Sequence, residues 1–396
     1  LSDLLPLVEQ VVPQTQIKTV ITTHAADLLA PQQQGSEVLN SVSMLDAIAI
    51  GENNELKAVS VDVDDLARLQ YTGGTTGLSK GAMLSHRNVL VNALQAKVRM
   101  KGMLSAENEI QISPLPLYHI YAFNLTLLLY TSIGAHSILI PNPRDMPAFI
   151  DAIKGHKFTT LSGLNTLFVG LCRTPAFQAL DFSQLRLTLS GGSALTSSAA
   201  KMWHEVTGCE ISEGYGLSET GPVVTFNHPE QPQLGSIGEE LVGTKIKLLD
   251  DENNEVAEGE SGELAVHGPQ VMQGYWGNEE ATAEVMTADN YFKTGDIAIR
   301  LDNGNYKIVD RKKDMIIVSG FNVYPNEIED VLSNHCDILE AAVIGVPEEK
   351  TGEAVRAYIV KTSDGVSLSK EDVIRHCKLQ LTAYKVPKDI HFIDEL

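Results

Sequence analysis

Tyr71-Thr72-Gly73-Gly74-Thr75-Thr76-Gly77-Leu78-Ser79-Lys80-Gly81 is the densest gathering of glycines and hydroxyls around a lysine in the chain, and it reads as a phosphate loop. Gly73, Gly74 and Gly77 admit backbone angles closed to other residues, so that successive N–H groups can face one concavity. Thr72, Thr75, Thr76 and Ser79 add hydroxyl donors, and Lys80 adds a positive charge on a long stem. The loop is not that of a P-loop NTPase, whose motif needs Gly-Lys-Ser/Thr; here Lys80 follows Ser79 and precedes Gly81. A strand over about Leu66–Gln70 leads into the loop. Ser85 then predicts the N-cap of an amphipathic helix carrying Val89, Leu90, Leu94 and Val98. Strand, glycine loop and helix in series would aim backbone amides at an anion.

The 396 residues suffice for roughly two or three domains with a sizeable core. A formal charge of −21 disfavours nucleic acid and anionic lipid as partners, so an anionic ligand needs local basic groups and Mg²⁺ to hold it. Cys172, Cys209, Cys336 and Cys377 are widely spaced without a CxxC pair, which fits a reduced, cytoplasmic protein. No secretory leader is recognisable, and the greasiest run, Phe123–Tyr130, is too short to span a bilayer. The chain opens at Leu1 without a methionine, in what reads as mid-domain sequence, and we expect a piece of a longer protein.

Upstream of the loop, Leu1–Val11 has helical spacing, Ile17–Thr22 reads as a strand, and Gln32–Asn54 reads as polar loop. Downstream, an α/β alternation follows, with strands near Ser137–Ile140, Phe158–Leu161, Leu185–Leu189 and Cys209–Ser212 and helices near Ala122–Tyr130 and Met146–Lys154. Tyr118, His119 and Tyr121 crowd an apolar, proline-broken passage; alone, His119 reads as a packing histidine. Ser190-Gly191-Gly192-Ser193-Ala194 is a second glycine turn, at a strand's carboxyl end where open α/β sheets bind ligands. In Glu213-Gly214-Tyr215-Gly216-Leu217-Ser218-Glu219-Thr220-Gly221, Tyr215 offers a face for a purine. Glu219 offers a carboxylate for Mg²⁺, and Thr220 a hydroxyl for a phosphate or carboxylate oxygen.

After Gly235 the texture becomes β-hairpins, with strands at Lys245–Leu249 and Gly262–His267 and a turn at Asp302–Asn305. Asp296, in Tyr291–Asp296, could accept from both ribose hydroxyls, although Gly295-Asp296 alone is only a turn. The charged run Asp310–Asp314 suits a solvated turn at a domain boundary. Beyond it, a glycine loop at Ser319–Asn322, a helix from Pro325, strands at Ala341–Val346 and Val355–Lys361, a helix at Lys370–Leu381 and a strand at Ile390–Ile393 make a small α+β module.

YTGGTTGLSKGAMLSHRN, PLPLYHIYAF, EGYGLSET, YFKTGDIA and DRKKDMIIVSGFNVYPNEIE, in this order, resemble the adenylate-forming superfamily of acyl-CoA synthetases, adenylation domains and luciferases. Within it they look most like bacterial long-chain fatty acid–CoA ligases, from about Leu66 to the end. The resemblance implies an α/β fold: residues 1–310 would form a large N-terminal domain of stacked sheets plus a β-hairpin subdomain, incomplete at its N-terminus. Residues 311–396 would form a small, mobile α+β C-terminal domain. It implies ATP, Mg²⁺ and CoA with a fatty acid as substrate. The carboxylate attacks the α-phosphate and expels pyrophosphate, and the CoA thiol then displaces AMP.

By the same resemblance, Thr72, Gly73, Gly74, Thr75, Thr76, Gly77 and Lys80 would hold the β- and γ-phosphates, Glu219 the metal, and Thr220 the α-phosphate or carboxylate. Gly192, Ser193, Ala194, Tyr215 and Gly216 would enclose adenine, with Asp296 and Arg311 on the ribose. His119 would gate the acyl carboxylate, Lys313 would be the hinge, and Gly320 would line the pantetheine path. The family ends in a lysine-bearing segment, Pro-Lys-Thr…Gly-Lys, and this chain stops at Leu396 before it; Lys385 and Lys388 do not match. The chain is therefore expected to bind nucleotide but adenylate poorly. The alternatives are an acyl-AMP ligase serving a carrier protein, against which the compact passage from Arg311 to Glu327 argues, and a non-catalytic nucleotide-binding protein. Apolar stretches such as Leu161–Leu171 read as core rather than acyl tunnel. Peripheral membrane contact through the greasy substrate has no amphipathic basic helix to support it.

Overall fold

The alternation of strands and helices is present, with one change at its most telling point: Lys80–Ser85 is a strand, not the approach to a helix. The computed structural model describes residues 4–23, 41–72, 79–105, 108–348, 350–362 and 365–396. They divide into two units, Leu1–Val61 and Asp62–Leu396.

The first unit holds a helix, Leu5–Val11, a short parallel pair, β1 (Ile21–Thr22) and β2 (Val42–Ser43), and a second helix, Met44–Glu52. That helix replaces the end of the loop expected over Gln32–Asn54, residues 32–40 lying outside the described residues. Its start is fixed by Ser43, whose hydroxyl accepts from the Asp46 N–H at 3.1 Å.

In the second unit β3 (Leu66–Thr72) and β4 (Lys80–Ser85) pair antiparallel, with Thr72 opposite Lys80. The glycine loop therefore joins two antiparallel strands. Nothing in KGAMLS favours a strand by propensity. β4 forms because its other edge is also paired, through a bridge between Ala82 and Tyr275. The helix His86–Arg99 follows, its start fixed as read: Ser85 and Asn88 cap each other's backbone N–H, at 3.2 and 2.8 Å.

Among the described residues, the central sheet contains β5 (Ile110–Ser113), β6 (His136–Leu139), β7 (Thr160–Gly163), β8 (Leu187–Ser190), β9 (Ile211–Gly216), β10 (Val223–Phe226) and β11 (Glu239–Glu240), in the order β11-β10-β9-β8-β7-β5-β6. β5 to β9 run parallel, and the chain's direction of travel across the sheet reverses between β5 and β7. Such a switch point opens a crevice at the strands' carboxyl ends. β7 and β8 are buried throughout, as a sheet covered on both faces requires. In β8, Thr188 accepts from the Trp203 indole at 3.0 Å, within the cluster of Phe149, Phe168, Leu171 and Phe177, while Leu187 and Leu189 join Met100, Leu125, Tyr130 and Phe226. Leu161, Phe168 and Leu171 are thus core, as expected.

β12 (Lys245–Leu249), β13 (Gly262–His267), β14 (Phe292–Arg300) and β15 (Tyr306–Arg311) form an antiparallel meander. Gly295-Asp296 lies inside β14 instead of forming a turn; Gly295, at φ +77°, accommodates a local irregularity of the ladder. The last sheet contains β16 (Ile316–Val318), β17 (Phe321–Val323), β18 (Ile338–Glu348), β19 (Gly352–Lys361) and β20 (Asp389–Ile393), with helices Pro325–Ser333 and Lys370–Lys378. Its own core includes Val323, Ile328, Leu332, Ile359 and Val373. Ser319 (φ +52°) and Gly320 (φ +83°) make the two-residue turn between β16 and β17, where a loop of four was expected. Among the described residues no helix is long and apolar enough to cross a membrane.

Candidate active site

A cavity of ≈ 220 Å³ opens at the carboxyl end of the parallel sheet. Its rim comes from the ends of three strands: His119 and Tyr121 beyond β5, Ser190 to Gly192 at the end of β8, and Gly214 to Ser218 at the end of β9. Arg311, the last residue of β15, closes one side. The floor is apolar, lined by Met100, Leu125, Leu189, Val223 and Phe226. Sequence reading missed this floor, because its residues come from a helix, a π-helical segment and two strands that share no motif.

Of the residues read as purine and ribose contacts, Gly192, Tyr215, Gly216 and Arg311 line this cavity. β9 continues through Gly216, so Tyr215 is a strand residue; its hydroxyl donates to Asp296 Oδ2 at 2.6 Å. Asp296 lies directly opposite Arg311 in the β14–β15 register, with Arg311 Nε 3.6 Å from Asp296 Oδ1. Burial raises the Asp296 carboxyl above its usual range, and the Tyr215 hydroxyl and Arg311 charge pull it back. Gly192, at φ +85°, and Gly216 line the cavity. A Cβ on Gly216 would stand 2.0 Å from the Pro222 carbonyl, so no other residue fits there without moving backbone. Ser193 and Ala194 follow Gly192 but are not part of the cavity wall. Ser190 Oγ, only 2% exposed, has no hydrogen-bond partner among the described residues, and Ser190 lines the cavity.

The described residues read as phosphate and metal contacts, Thr72, Lys80, Glu219 and Thr220, are not part of the cavity wall. Thr72 Oγ1 donates weakly to the Lys80 carbonyl at 3.4 Å; Gly73, Gly74, Thr75, Thr76 and Gly77 lie outside the described residues. Glu219 is 8% exposed, in the 3₁₀ turn Ser218–Thr220, and its Oε1 accepts from the Tyr275 hydroxyl at 2.8 Å. An all-oxygen, mostly buried carboxylate suits a hard cation such as Mg²⁺, which keeps its remaining positions for water and phosphate. Thr220 is fully buried, accepting from the Leu217 N–H at 2.9 Å and donating to the Pro222 carbonyl. Its hydroxyl is thus spent on shaping the turn. Asn124 braces the same turn, its amide donating to the Gly221 carbonyl at 2.9 Å.

His119 caps the short helix Ile120–Ala122, its Nδ1 accepting from the Tyr121 N–H at 3.2 Å, so the proton of the neutral ring sits on Nε2. Desolvation lowers its pKa, and the charge of Arg68 lowers it further. Arg68, unremarked in the sequence, stacks 4.2 Å over the Phe123 ring and donates to the Tyr118 carbonyl. Glu213, beneath the rim, accepts from the Leu195 N–H at 3.1 Å; burial pushes its carboxyl up to about 7.

Lys313 and Gly320 are not brought into the cavity wall. Lys313 lies in the turn after β15, beside Lys312, which is paired with Asp251 at 2.8 Å and Glu263 at 3.1 Å. The charged run is not solvated throughout: Asp310 is buried and accepts from Asn326 N at 2.9 Å, tying β15 to the helix Pro325–Ser333. Lys385 and Lys388 are ion-paired with Glu327 and Glu348, at 2.6 and 3.4 Å.

Residues 5–276 match the family described as AMP-binding enzyme, and residues 327–396 the AMP-binding enzyme C-terminal domain. The long-chain-fatty-acid–CoA ligase of Salmonella typhimurium is 43% identical over 98% of this chain and 72% of its own length. That of Yersinia pestis is 44% identical over 98% and 71%. Among solved structures, ATP-bound MatB from Rhodopseudomonas palustris superposes with a TM-score of 0.84 at 29% identity, covering 98% of this chain and 78% of MatB. The anthranilate CoA ligase AuaEII in complex with anthranoyl-AMP gives 0.88 at 26%, covering all of this chain and 73% of its own.

Proposed function

The chain belongs to the AMP-binding enzyme family, and on that premise we propose that it is a long-chain fatty acid–CoA ligase. It activates a fatty acid with ATP to the acyl-adenylate, releasing pyrophosphate, and passes the acyl group to CoA, releasing AMP. The observation that carries this reading is the cavity itself. One wall holds Tyr215 and Arg311, both paired with Asp296 and fit for a nucleoside, and the floor is Met100, Leu125, Leu189 and Phe226, fit for a hydrocarbon chain.

In this reading adenine lies against Tyr215 and the turn at Gly192, and Asp296 and Arg311 take the ribose hydroxyls. Lys80 and the glycine loop hold the pyrophosphate that leaves. Glu219 would hold Mg²⁺, which supplies charge neutralisation to the phosphates when bound. Phosphoryl displacement needs positioning and charge neutralisation more than covalent help. His119, kept neutral beside Arg68, stands where the acyl carboxylate must pass and does not pair with it as a cation. Residues 311–396 act as the mobile module, turning about Lys313 between the two steps and bringing Gly320 toward the thiol's path. The two-residue turn at Ser319-Gly320 leaves no insertion of the kind that marks acyl-AMP ligases. Free thiols at all four cysteines support a cytoplasmic location.

The test is to extend the chain at both ends to the length of its curated relatives, supply Mg²⁺, ATP and saturated acids of increasing length, and measure AMP release with and without CoA. CoA-dependent turnover rising toward long acids is expected. Acyl-adenylate accumulating equally with and without CoA would overturn the ligase assignment.

A further inference from the structure

Met272 to Trp276 runs as a strap between two parts of the site. Met272 N donates to the Glu219 carbonyl at 2.8 Å, Gln273 N to Met83 at 2.9 Å and Trp276 N to Gly81 at 2.8 Å; Met83 N donates back to Gly274 at 2.9 Å. Tyr275 is thereby fixed, and its own N–H donates to Thr282 Oγ1 at 2.9 Å. Its side chain, 7% exposed, does two things at once. The hydroxyl donates to Glu219 Oε1 at 2.8 Å, and the ring lies 5.2 Å beneath Lys80 Nζ. One tyrosine therefore touches both the carboxylate and the lysine that the proposed function assigns to the metal and the pyrophosphate.

We propose that Tyr275 is a positioning residue for Mg-ATP, its hydroxyl setting how Glu219 binds the metal and its ring setting where Lys80 stands. The inference rests on the reading of Glu219 and Lys80 given above. A carboxylate that chelates through both oxygens suits a large, geometrically tolerant cation. Mg²⁺ is small, demands near-octahedral geometry and keeps several waters, so it favours a carboxylate that offers one oxygen. A hydrogen bond into Oε1 occupies one of its lone pairs and fixes the carboxylate's orientation, and so biases Glu219 toward single-oxygen binding. The ring face holds an ammonium by its quadrupole without neutralising it, leaving the Lys80 charge for phosphate.

The two contacts separate in two variants. Tyr275→Phe keeps the ring and loses the hydroxyl. Tyr275→Leu loses both. ATP binding to the whole chain is measured by titration calorimetry in EDTA and across a Mg²⁺ series. For Tyr275→Phe we expect unchanged affinity in EDTA and a half-saturating Mg²⁺ concentration raised about tenfold, the effect of one hydrogen bond to a charged group. For Tyr275→Leu we expect weaker binding in EDTA as well. In the unaltered chain Mg²⁺ should support binding at least severalfold better than Ca²⁺, a measurement that needs no variant. A residue that merely packs predicts that Tyr275→Phe behaves as the parent in both conditions, and that result overturns the inference while leaving the nucleotide site standing. Failure of the parent chain to bind Mg-ATP at all overturns the proposed function instead, and this inference with it.

Discussion

Replacing Glu213 by Gln should stabilise the protein, and by an amount that depends on pH. Glu213 is 8% exposed beneath the cavity rim and accepts one backbone bond, from Leu195 N at 3.1 Å. Burial pushes its carboxyl from the ordinary 4.5 up to about 7, against the pull of the Leu195 N–H. Below pH 4.5 both folded and unfolded chains hold the proton, and the group adds no pH dependence. Between 4.5 and about 7 the unfolded chain releases it while the fold keeps it, so stability falls by about 1.4 kcal/mol per pH unit. Above that range the fold carries an ionised, poorly solvated carboxylate, at a total cost of about 3 kcal/mol. Glutamine has the same shape, can accept from Leu195 N and never ionises. Urea unfolding followed by the emission of Trp203, buried in the adjacent core, should show Glu213→Gln level with the parent near pH 4.5. By pH 8 the variant should be ahead by about 3 kcal/mol. A gap that is the same at pH 5 and pH 8 would refute the reasoning, since only a titrating group produces the difference.

Arg68→Gln should raise the pKa of His119, because a nearby positive charge that disfavours the imidazolium is gone; NMR titration of the ring that shows no movement would remove Arg68 from the acyl gate. Gly216→Ala should abolish ATP binding and lower the melting temperature, at a cost on the order of 3 kcal/mol, because its Cβ would lie 2.0 Å from the Pro222 carbonyl. Parent-like calorimetry and melting would show that the turn yields more cheaply than its contacts imply. In the chain extended to its relatives' length, Lys313→Pro should spare adenylate formation and suppress thioester formation in single-turnover assays of the two steps; equal loss of both would argue against a hinge at this position.

The sequence was most legible where glycine punctuates it. Gly192 and Gly216 each stand at a strand's carboxyl end, and both line the cavity. Asp296 and Arg311 come from separate motifs that the resemblance alone puts together on the ribose, and the β14–β15 register makes them neighbours. What could not be read was structure imposed from far along the chain. β4 has no strand propensity of its own and exists because β3 and the strap at Tyr275 pair with its two edges. Tyr275 lies 56 residues from Glu219, and no local pattern announces that a hydroxyl so distant will meet that carboxylate. The Asp310 carboxylate looked like part of a solvated run, yet a backbone N–H from the next helix draws it inside. The apolar cavity floor was illegible for the same reason: Met100, Leu125 and Phe226 are ordinary hydrophobic positions until the sheet's switch point leaves space beside them.

The four free cysteines are unequal. Cys172, Cys209 and Cys377 are buried, and burial pushes Cys172 to about 12 and Cys377 to about 11, with Cys209 raised as well. Cys336 alone among them is exposed, just after the helix Pro325–Ser333. A maleimide dye at neutral pH should therefore attach at one place without any engineering. That place is the turn leading into β18, and a second dye introduced on the surface of the central sheet would make the chain a ruler, energy transfer between the two testing whether the C-terminal module rotates when substrates bind.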